Sequence, residues 1–442
     1  MRLLPAIALL VAFPLAAQHP PGKQSSPNVH VLSHIPLGGD FSTTDIEMEQ
    51  ELSRPYAYVT RRYQFSGFDV VNLRDPAKAY VMYSWRMEKP ELHQGSGALA
   101  PAYVKTGGRY YFVQSYQYTP NGLDGDLGMS VFDVTGLPDT SKVKEVARVR
   151  TPDTRGGFHE IFAYKHSSGR ALVFTTGGNP GARVYDIGKT VSGDPEFGMV
   201  ARVPDPTDPA RGSYHDFYVG FDPASQQDRF YGGGTGGYHV YDITNLDAPR
   251  LLTTVTGFAG LTSGHTFTPT PDGRYAVAEL EYQYSPLRIF DLKPGLDGEV
   301  KVITRPIGAW VTDWKNLPHN HEVRWPYVFV SDYEDGLSIF NMMDPTNPYT
   351  MGYYDTYDGP HQNRLAYINH PSGVGGVNNG AFGIDVRNAD GIIVISDMTT
   401  GFWVFKMDGF DGWNGHQWGM PNNSSAQDWD NGPDGLQKKR VS

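Results

Sequence analysis

The sequence predicts an all-β fold, a seven-bladed β-propeller of four-stranded blades, and three observations lead to this prediction. An aromatic residue followed by a polar residue, usually Asp, recurs at spacings of 49 to 65 residues. Runs of β-branched and aromatic residues, bounded by Gly and Pro turns, flank each recurrence, and no long segment has the period of an amphipathic helix. Sheets this small bury both faces when they stack around an axis. The recurring pairs are Phe68-Asp69, Phe132-Asp133, Tyr185-Asp186, Tyr241-Asp242, Phe290-Asp291, Phe340-Asn341 and Phe405-Lys406.

The chain begins with a segment typical of secretory signal peptides. A positive residue stands at position 2, an apolar run covers residues 3–15, and two alanines follow it. We therefore expect a signal peptide over residues 1–17, a flexible leader over 18–27, and an exported protein in the periplasm, outside the cell or on its surface. The alternative is an uncleaved anchor, which the short, proline-interrupted run disfavours. No other segment is apolar enough to cross a membrane.

The propeller is expected to span residues 28–410, followed by an irregular C-terminal tail over residues 411–442. The last repeat unit ends with a third strand, at Gly401-Phe-Trp-Val-Phe-Lys406, and has no fourth. A strand-like run, Val29 to Pro36, precedes the first unit and resembles the outer strands of the others. We expect this N-terminal strand to complete the last blade and close the ring, because an open ring would leave unpaired strand edges.

Composition excludes several functional classes. The 442 residues carry 37 Lys and Arg against 48 Asp and Glu, a formal net charge of −11, and no basic stripe, so nucleic-acid binding is not expected. There are no cysteines, which excludes disulfides, thiolate metal sites, iron–sulfur clusters and cysteine nucleophiles.

The repeat unit resembles the LVIVD repeat of exported bacterial and archaeal proteins, including the choice-of-anchor B type. The stretch from Pro326 to Pro348, with Gly352-Tyr-Tyr-Asp-Thr356, carries the likeness, and Gly67 to Pro76 and Ser396 to Phe405 echo it. The resemblance covers roughly residues 28 to 407. It implies a propeller and an exported protein, without defining an activity.

Four histidines recur at one repeat position and are the main candidates for chemistry. They are His159, His215, His265 and His321, at spacings of 56, 50 and 56 residues. Each opens the innermost strand of its blade, so four adjacent blades would direct imidazoles at one rim of the central channel. Neutral imidazoles suit a transition metal such as Cu, Zn or Fe. His319, and a long loop with His361 and His370, could lie above this rim.

Carboxylates provide possible supporting groups. Glu160, Asp216 and Glu322 each follow one of the four histidines directly and could fix the imidazole tautomer as outer-shell partners of the metal. A second group lies in the turns after the second strands, on the same face of the propeller, and Glu279 and Asp332 are its main candidates as additional ligands. The whole group is Glu279, Glu281, Asp332, Glu334, Asp335 and Asp397.

Two functions follow from these patterns. The first is a binding or scaffold protein that holds an unidentified protein or small-molecule ligand on its propeller face and that can also hold a transition metal. The alternative is a metal-dependent, oxidase-like oxidoreductase that uses the four-histidine site. A structural reading competes with both, since WD-type propellers contain a histidine bonded to a buried Asp, and acids in surface turns are often merely solvated. Converging Nε2 atoms would favour the metal, whereas imidazoles turned into the blades towards Asp or Glu would favour the structural role.

Overall fold

The computed structural model describes residues 23–38, 41–90, 93, 95–177, 180–315, 317–357 and 379–432. These residues form seven sheets, six of four antiparallel strands and one in which a short parallel strand adds to four antiparallel ones. The first strand of each sheet contacts the first strands of both neighbouring sheets, so the seven first strands surround a central channel. The predicted seven-bladed β-propeller is therefore confirmed.

Each of blades 1 to 4 is a consecutive meander of four strands. Blade 1 contains β2 (Thr43–Met48), β3 (Tyr56–Arg61), β4 (Gly67–Asn72) and β5 (Tyr80–Arg86). Blade 2 contains β6 (Gly95–Thr106), β7 (Arg109–Tyr118), β8 (Leu127–Asp133) and β9 (Lys144–Arg150). Blade 3 contains β10 (Ile161–Lys165), β11 (Ala171–Thr175), β12 (Ala182–Asp186) and β13 (Met199–Val203), with the short helix α1 (Ile187–Val191) before β13. Blade 4 contains β14 (Tyr214–Asp222), β15 (Gln227–Gly234), β16 (Gly237–Asp242) and β17 (Arg250–Val255).

Blades 5 to 7 repeat the pattern with two additions. Blade 5 contains β18 (Phe267–Pro269), β19 (Tyr275–Ala278), β20 (Leu287–Asp291) and β22 (Gly308–Trp310). The segment between its last two strands contributes a helix, α2 (Lys293–Leu296), and β21 (Val302–Ile303), which pairs in parallel with the edge of blade 4. Blade 6 contains β23 (Asn320–Arg324), β24 (Tyr327–Ser331), β25 (Leu337–Asn341) and β26 (Tyr349–Tyr354). Blade 7 contains β27 (Ala381–Val386), β28 (Ile393–Asp397) and β29 (Gly401–Met407), and β1 (Val29–Ile35) as its outer strand.

The recurring aromatic–polar pair has two separate structural roles at the end of the third strand. Its aromatic ring packs between blades: Phe132, at the end of β8, is fully buried with its ring centroid 4.8 Å from that of Phe68 in blade 1. The polar side chain starts the following turn by accepting a backbone N–H two residues ahead. Asp242 accepts from the N–H of Thr244 at 3.0 Å, and Asn341 accepts from that of Met343 at 2.7 Å. The predicted pair Phe68-Asp69 itself lies at the start of β4, where Asp69 pairs with Arg61 and Arg86, and Asn72 starts the turn of blade 1. Apolar burial and turn formation together explain why the pair recurs.

The N-terminal strand closes the ring as predicted. β1 pairs antiparallel with β29, from Val29 opposite Met407 to Ile35 opposite Phe402. Val29 is buried in a core cluster that joins blades 6 and 7, so the strand also connects the first and last parts of the chain.

The C-terminal tail lies across one end of the channel, as far as residue 432. The indole N–H of Trp413 donates to the carbonyl of Trp325 at 2.7 Å, which ties the start of the tail to blade 6. Farther along, the amide of Gln427 donates to the carbonyl of Ala163 in blade 3 at 2.9 Å, and Asp430 pairs with Lys105 of blade 2. We call the end covered by the tail the lower channel, and the end where the first strands begin the upper channel.

Candidate metal centre

Four imidazoles lie side by side in the upper channel, one from each of blades 3 to 6. Ring centroids are 4.2 Å apart between His159 and His215, 4.2 Å between His215 and His265, and 5.2 Å between His265 and His319. Each residue lies at the start of the innermost strand of its blade, where the chain enters the channel. The structure therefore brings together three of the four predicted histidines, with His319 beside them.

His321, predicted as the fourth histidine, is not part of this group. The backbone N–H groups of His159, His265 and His319 donate to the carbonyls of residues that follow or end the second strand of the same blade, so these three histidines are equivalent in the fold. His321 lies two residues farther along β23, opposite Val330. The sequence prediction chose His321 because it lies 56 residues after His265. The residue of blade 6 that is equivalent to His265 is His319, which lies two residues earlier.

The local backbone directs His215 into the channel. The pairing register of β14 and β15 shifts between Tyr214 and Asp216, so His215 occupies a β-bulge. A bulge turns the extra residue away from the regular alternation of the strand. The same shift occurs in blade 7 at Phe382, whose ring lies 3.7 Å from that of His319.

Two glutamates after the second strand of blade 5 contact His265. Oε2 of Glu279 lies 2.5 Å from Nδ1 of His265, and Oε2 of Glu281 lies 3.4 Å from its Nε2. The hydroxyl of Tyr333 donates to Glu281 from blade 6. Among the residues that the structure describes, His215, His265 and Glu281 are the one group of three metal-ligand side chains whose ligand atoms all lie within 4.8 Å of one another.

The hydrogen bonds leave ring nitrogens available in the channel. Nδ1 of His319 is bonded to the carbonyl of Phe382 at 2.8 Å, and Nδ1 of His265 to Glu279. An Nδ1–H that donates to such an acceptor leaves a lone pair on Nε2, the arrangement that metal-binding histidines need. Within the described part of the chain, Nε2 of His265 and Nδ1 of His215 have no hydrogen-bond partner.

Burial keeps these imidazoles neutral. It lowers the pKa of His159 to about 4 and that of His319 to about 3, and neighbouring imidazoles help to lower those of His215 and His265 well below the ordinary value. Burial also raises the pKa of Glu281 to about 7, opposed by the hydrogen bond from the Tyr333 hydroxyl. Neutral imidazoles are the form that binds metal ions.

The space among the histidines is small. A void of about 10 Å³ is lined by His159, His215, His265 and His319, with Leu99 and Phe382 on its other side. A void of this size holds roughly one water molecule or one ion. The void among the imidazoles can therefore accommodate one ion or one water molecule.

The acids predicted as outer-shell partners lie elsewhere in the channel. Glu160 and Asp216 point below the histidines and border both the small void and a larger acidic chamber. Glu322 lies deeper in that chamber, where it pairs with Arg324. In blade 6, Asp332 accepts a hydrogen bond from Thr312 at 2.7 Å, away from the imidazoles. Within the described residues, the acid that bonds to a channel imidazole is Glu279, which sequence reasoning had placed among additional ligands.

The bond from Nδ1 of His265 to the buried Glu279 also fits the competing structural interpretation, and a second pair of that kind occurs at another position. Nε2 of His166 lies 3.3 Å from Asp228, and both side chains are fully buried between blades 3 and 4. Asp228 also accepts hydrogen bonds from Tyr164 and Ser167. The fold therefore has a structural His–Asp pair that is separate from the channel histidines.

Sequence reasoning gave Glu281 no separate role and placed His319 above the site. Counting from the end of the second strand, where Glu279 and Glu281 alternate around an apolar Leu280, would have put both carboxylates on one face. His361 and His370 lie outside the described residues, as do residues 1–22 with the predicted signal peptide.

The comparisons with known proteins assign this chain to no family, so its fold is what is established. Neither a protein-family model nor a curated protein matches this chain. The resemblance to LVIVD repeat proteins therefore stays a prediction. In the described residues, the helices are too short or too polar to cross a membrane.

Proposed function

We propose that this protein is a metal-binding β-propeller in which His215, His265 and Glu281 hold one transition-metal ion in the upper channel. The proposal rests on one observation: the ligand atoms of these three side chains all lie within 4.8 Å of one another. Ligand atoms of a tetrahedral site are roughly 3.4 Å apart when the metal–ligand bonds are about 2.1 Å long. Side-chain movements of about an ångström would therefore complete the set.

The donor set favours a particular group of metals. Two imidazoles and one carboxylate suit Zn, Cu or Fe better than Ca or Mg, which prefer oxygen ligands alone. His159 and His319 flank the three ligands, and either one, or a water molecule, can supply a fourth. Glu279 would orient His265 through its Nδ1, as outer-shell carboxylates do in metal sites.

The small void supports binding of the ion over turnover of a substrate at this position. About 10 Å³ leaves space for an ion or a water molecule. We therefore infer a binding or scaffold role in which the ion connects blades 4 and 5, while the propeller face holds a protein or small-molecule partner. An exported, LVIVD-like protein is the cellular setting we propose. A metal site without thiolate ligands suits an exported protein, because imidazole and carboxylate ligands cannot be lost to disulfide formation in an oxidising compartment.

Metal content of the purified protein tests this proposal. The chain from residue 18 onward, without a histidine tag, is supplemented in turn with Zn²⁺, Cu²⁺ and Fe²⁺, desalted and analysed by mass spectrometry. We expect about one ion per chain for at least one of these metals. The double variant His215→Ala/His265→Ala should lose it while keeping the circular dichroism spectrum of the wild type.

A matched control removes the same number of histidines from the surface. His30→Ala/His34→Ala changes two exposed residues of β1 and should retain the ion. A wild-type protein that stays metal-free after supplementation, or a channel double variant that binds as much metal as the control, would overturn the proposal.

A further inference from the structure

A second site lies in the lower channel. Below the histidines the channel widens into a chamber of about 600 Å³, bounded by the first strands of all seven blades and by the C-terminal tail. The volume is in the range of small-molecule sites, far larger than one ion needs. The proposed metal centre makes no use of this chamber.

Nine carboxylates line the chamber, and three of them, Glu51, Asp428 and Asp430, lie just after β2 or in the tail. The other six lie on the first strands or directly before them: Asp45, Glu47, Glu160, Asp216, Glu322 and Asp385. Several are bonded to neutral groups: Asp45 accepts from the backbone N–H of Ile46 at 2.8 Å, Asp216 from the hydroxyl of Thr266 at 2.7 Å, and Asp385 from the N–H of Met48 at 2.7 Å. These bonds orient the acids without supplying a positive charge.

Positive charge is scarce among these acids. Within the described residues, Arg324 is the one basic side chain within 4.0 Å of any of the six, close to Glu322 and at 4.0 Å from Asp385. Burial raises the pKa of Asp45 and Glu47 well above the ordinary values, with the neighbouring carboxylates adding to the effect. A buried group of acids with so little compensation is stabilised when a cation enters.

The arrangement of the acids favours an extended cation over a metal ion. All six are described, yet no three of them bring ligand atoms within 4.8 Å of one another. Aromatic residues line the same chamber: Tyr103, Phe162, Tyr218 and Trp429. Carboxylates that do not converge on one point, together with aromatic surface, match ammonium groups separated by methylene chains.

His321 supplies an independent sign that a ligand belongs here. His321 belongs to the lining of the chamber and is 4% exposed; within the described residues its ring nitrogens make no hydrogen bond of regular geometry, although the ring interacts with the backbone of Val277 in blade 5. The equivalent positions of blades 3 and 4 hold Ile161 and Phe217, so the fold does not require a polar residue there. A buried imidazole without regular hydrogen bonds costs stability unless a ligand completes them.

We propose that the lower chamber binds a linear organic polycation of the diamine or polyamine class. Its ammonium groups would bond to the spaced carboxylates and its methylenes would lie against the aromatic walls. The mouth of the chamber already holds one ammonium group in this way, because Nζ of Lys105 bonds to Glu51 at 3.2 Å and to Asp430 at 2.6 Å. The proposal is independent of the metal centre.

Calorimetry on protein freed of metal by a chelator tests the proposal. Spermidine and 1,8-diaminooctane are titrated into the wild type, with 1,8-octanediol as the uncharged probe of equal length. We expect one amine per chain and no binding of the diol. Glu47→Gln/Asp385→Asn should weaken amine binding at least about tenfold, which is about 1.4 kcal/mol.

Controls separate the chamber from the overall charge and from misfolding. Glu299→Gln/Asp247→Asn removes two exposed carboxylates and should leave the affinity unchanged. His321→Phe, which introduces the residue type found in blade 4, should fold and bind the amine several-fold more weakly. The proposal is overturned by absence of amine binding at millimolar concentration, by equal affinity in the chamber and control double variants, or by Ca²⁺ binding more tightly than the amines at the same carboxylates.

Discussion

At the scale of single residues, the candidate metal centre depends on how two neighbouring glutamates are placed. Glu279 and Glu281 are separated by one residue, so both face the channel while Leu280 between them is buried in the core. Glu279 contacts Nδ1 of His265 and Glu281 approaches its Nε2. One glutamate therefore orients the imidazole, and in the proposed site the other would share the metal with it.

Replacing Glu279 tests this division of roles. Glu279→Gln removes the charged acceptor from Nδ1 of His265 and should weaken metal binding by about 10- to 100-fold, as loss of outer-shell partners does. Competition with a chromophoric chelator measures the affinity. Asp332→Asn, an equally buried acid after the second strand of blade 6, should bind metal normally. Equal affinities in the two variants would contradict the role given to Glu279.

Three of the four channel histidines could be predicted from the sequence, whereas the fourth histidine and the local backbone could not. The repeat spacing identified His159, His215 and His265, because the start of the innermost strand is fixed relative to the rest of each blade. It placed His321 where the fold has His319, because blade 6 begins two residues earlier relative to the preceding one. The bulge that turns His215 inward has no local signature in the sequence.

At the scale of elements, β1 holds the two ends of the propeller together. Its pairing with β29 gives blade 7 a fourth strand, and Val29 packs into the core shared with blade 6. Without it, blade 7 would present an open edge and the ring would be held by blade contacts alone.

A charge at the start of β1 should weaken this closure. Val29→Asp buries an unpaired carboxylate at a position that is 4% exposed, and we expect a loss of at least about 2 kcal/mol in the free energy of unfolding. Urea denaturation followed by fluorescence measures it. His30→Ala, at the exposed neighbouring position, should change stability by less than about 1 kcal/mol. A stable Val29→Asp protein would show that β1 is dispensable.

The blades and their closure could be predicted because their signals are local. Most of the aromatic–polar pairs mark a buried ring and a turn within a few residues, as in Asp242 with Thr244. The additions were not predictable in the same way. β21 pairs with the edge of blade 4 through only two residues, and two residues carry no periodicity.

At the scale of the whole molecule, the channel is divided into two chemically different parts. The upper part holds neutral imidazoles around a small void, and the lower part holds carboxylates around a chamber of about 600 Å³. Glu160 and Asp216 border both. The tail covers the lower end through contacts between distant residues, such as Ser425 with Glu322, which sequence patterns cannot predict.

The acidic chamber should make stability depend on pH. Burial raises the pKa of Asp385 from 3.8 to about 7, with Glu322 adding to the rise and Arg324 opposing it; Asp45 and Glu47 also face it. Between about pH 4 and 7, Asp385 therefore holds a proton in the folded protein that it has already released in the unfolded chain. This contribution to stability is present at low pH and is lost as the pH rises through 7.

Urea denaturation of the wild type and Asp385→Asn between pH 5 and 8 checks this dependence. The free energy of unfolding of the wild type should fall more steeply with pH than that of the variant up to pH 7, by at most about 1.4 kcal/mol per pH unit. Parallel curves for the two proteins would show that Asp385 is ionised in the folded state throughout this range.

The most direct test of the central claim is an anomalous difference map from crystals grown with the metal that the protein retains, recorded at the absorption edge of that metal. The claim predicts one strong peak in the upper channel, within about 2.3 Å of ligand atoms from His215, His265 and Glu281. A channel without a peak, or a peak among the carboxylates of the lower chamber and none at the histidines, would contradict it.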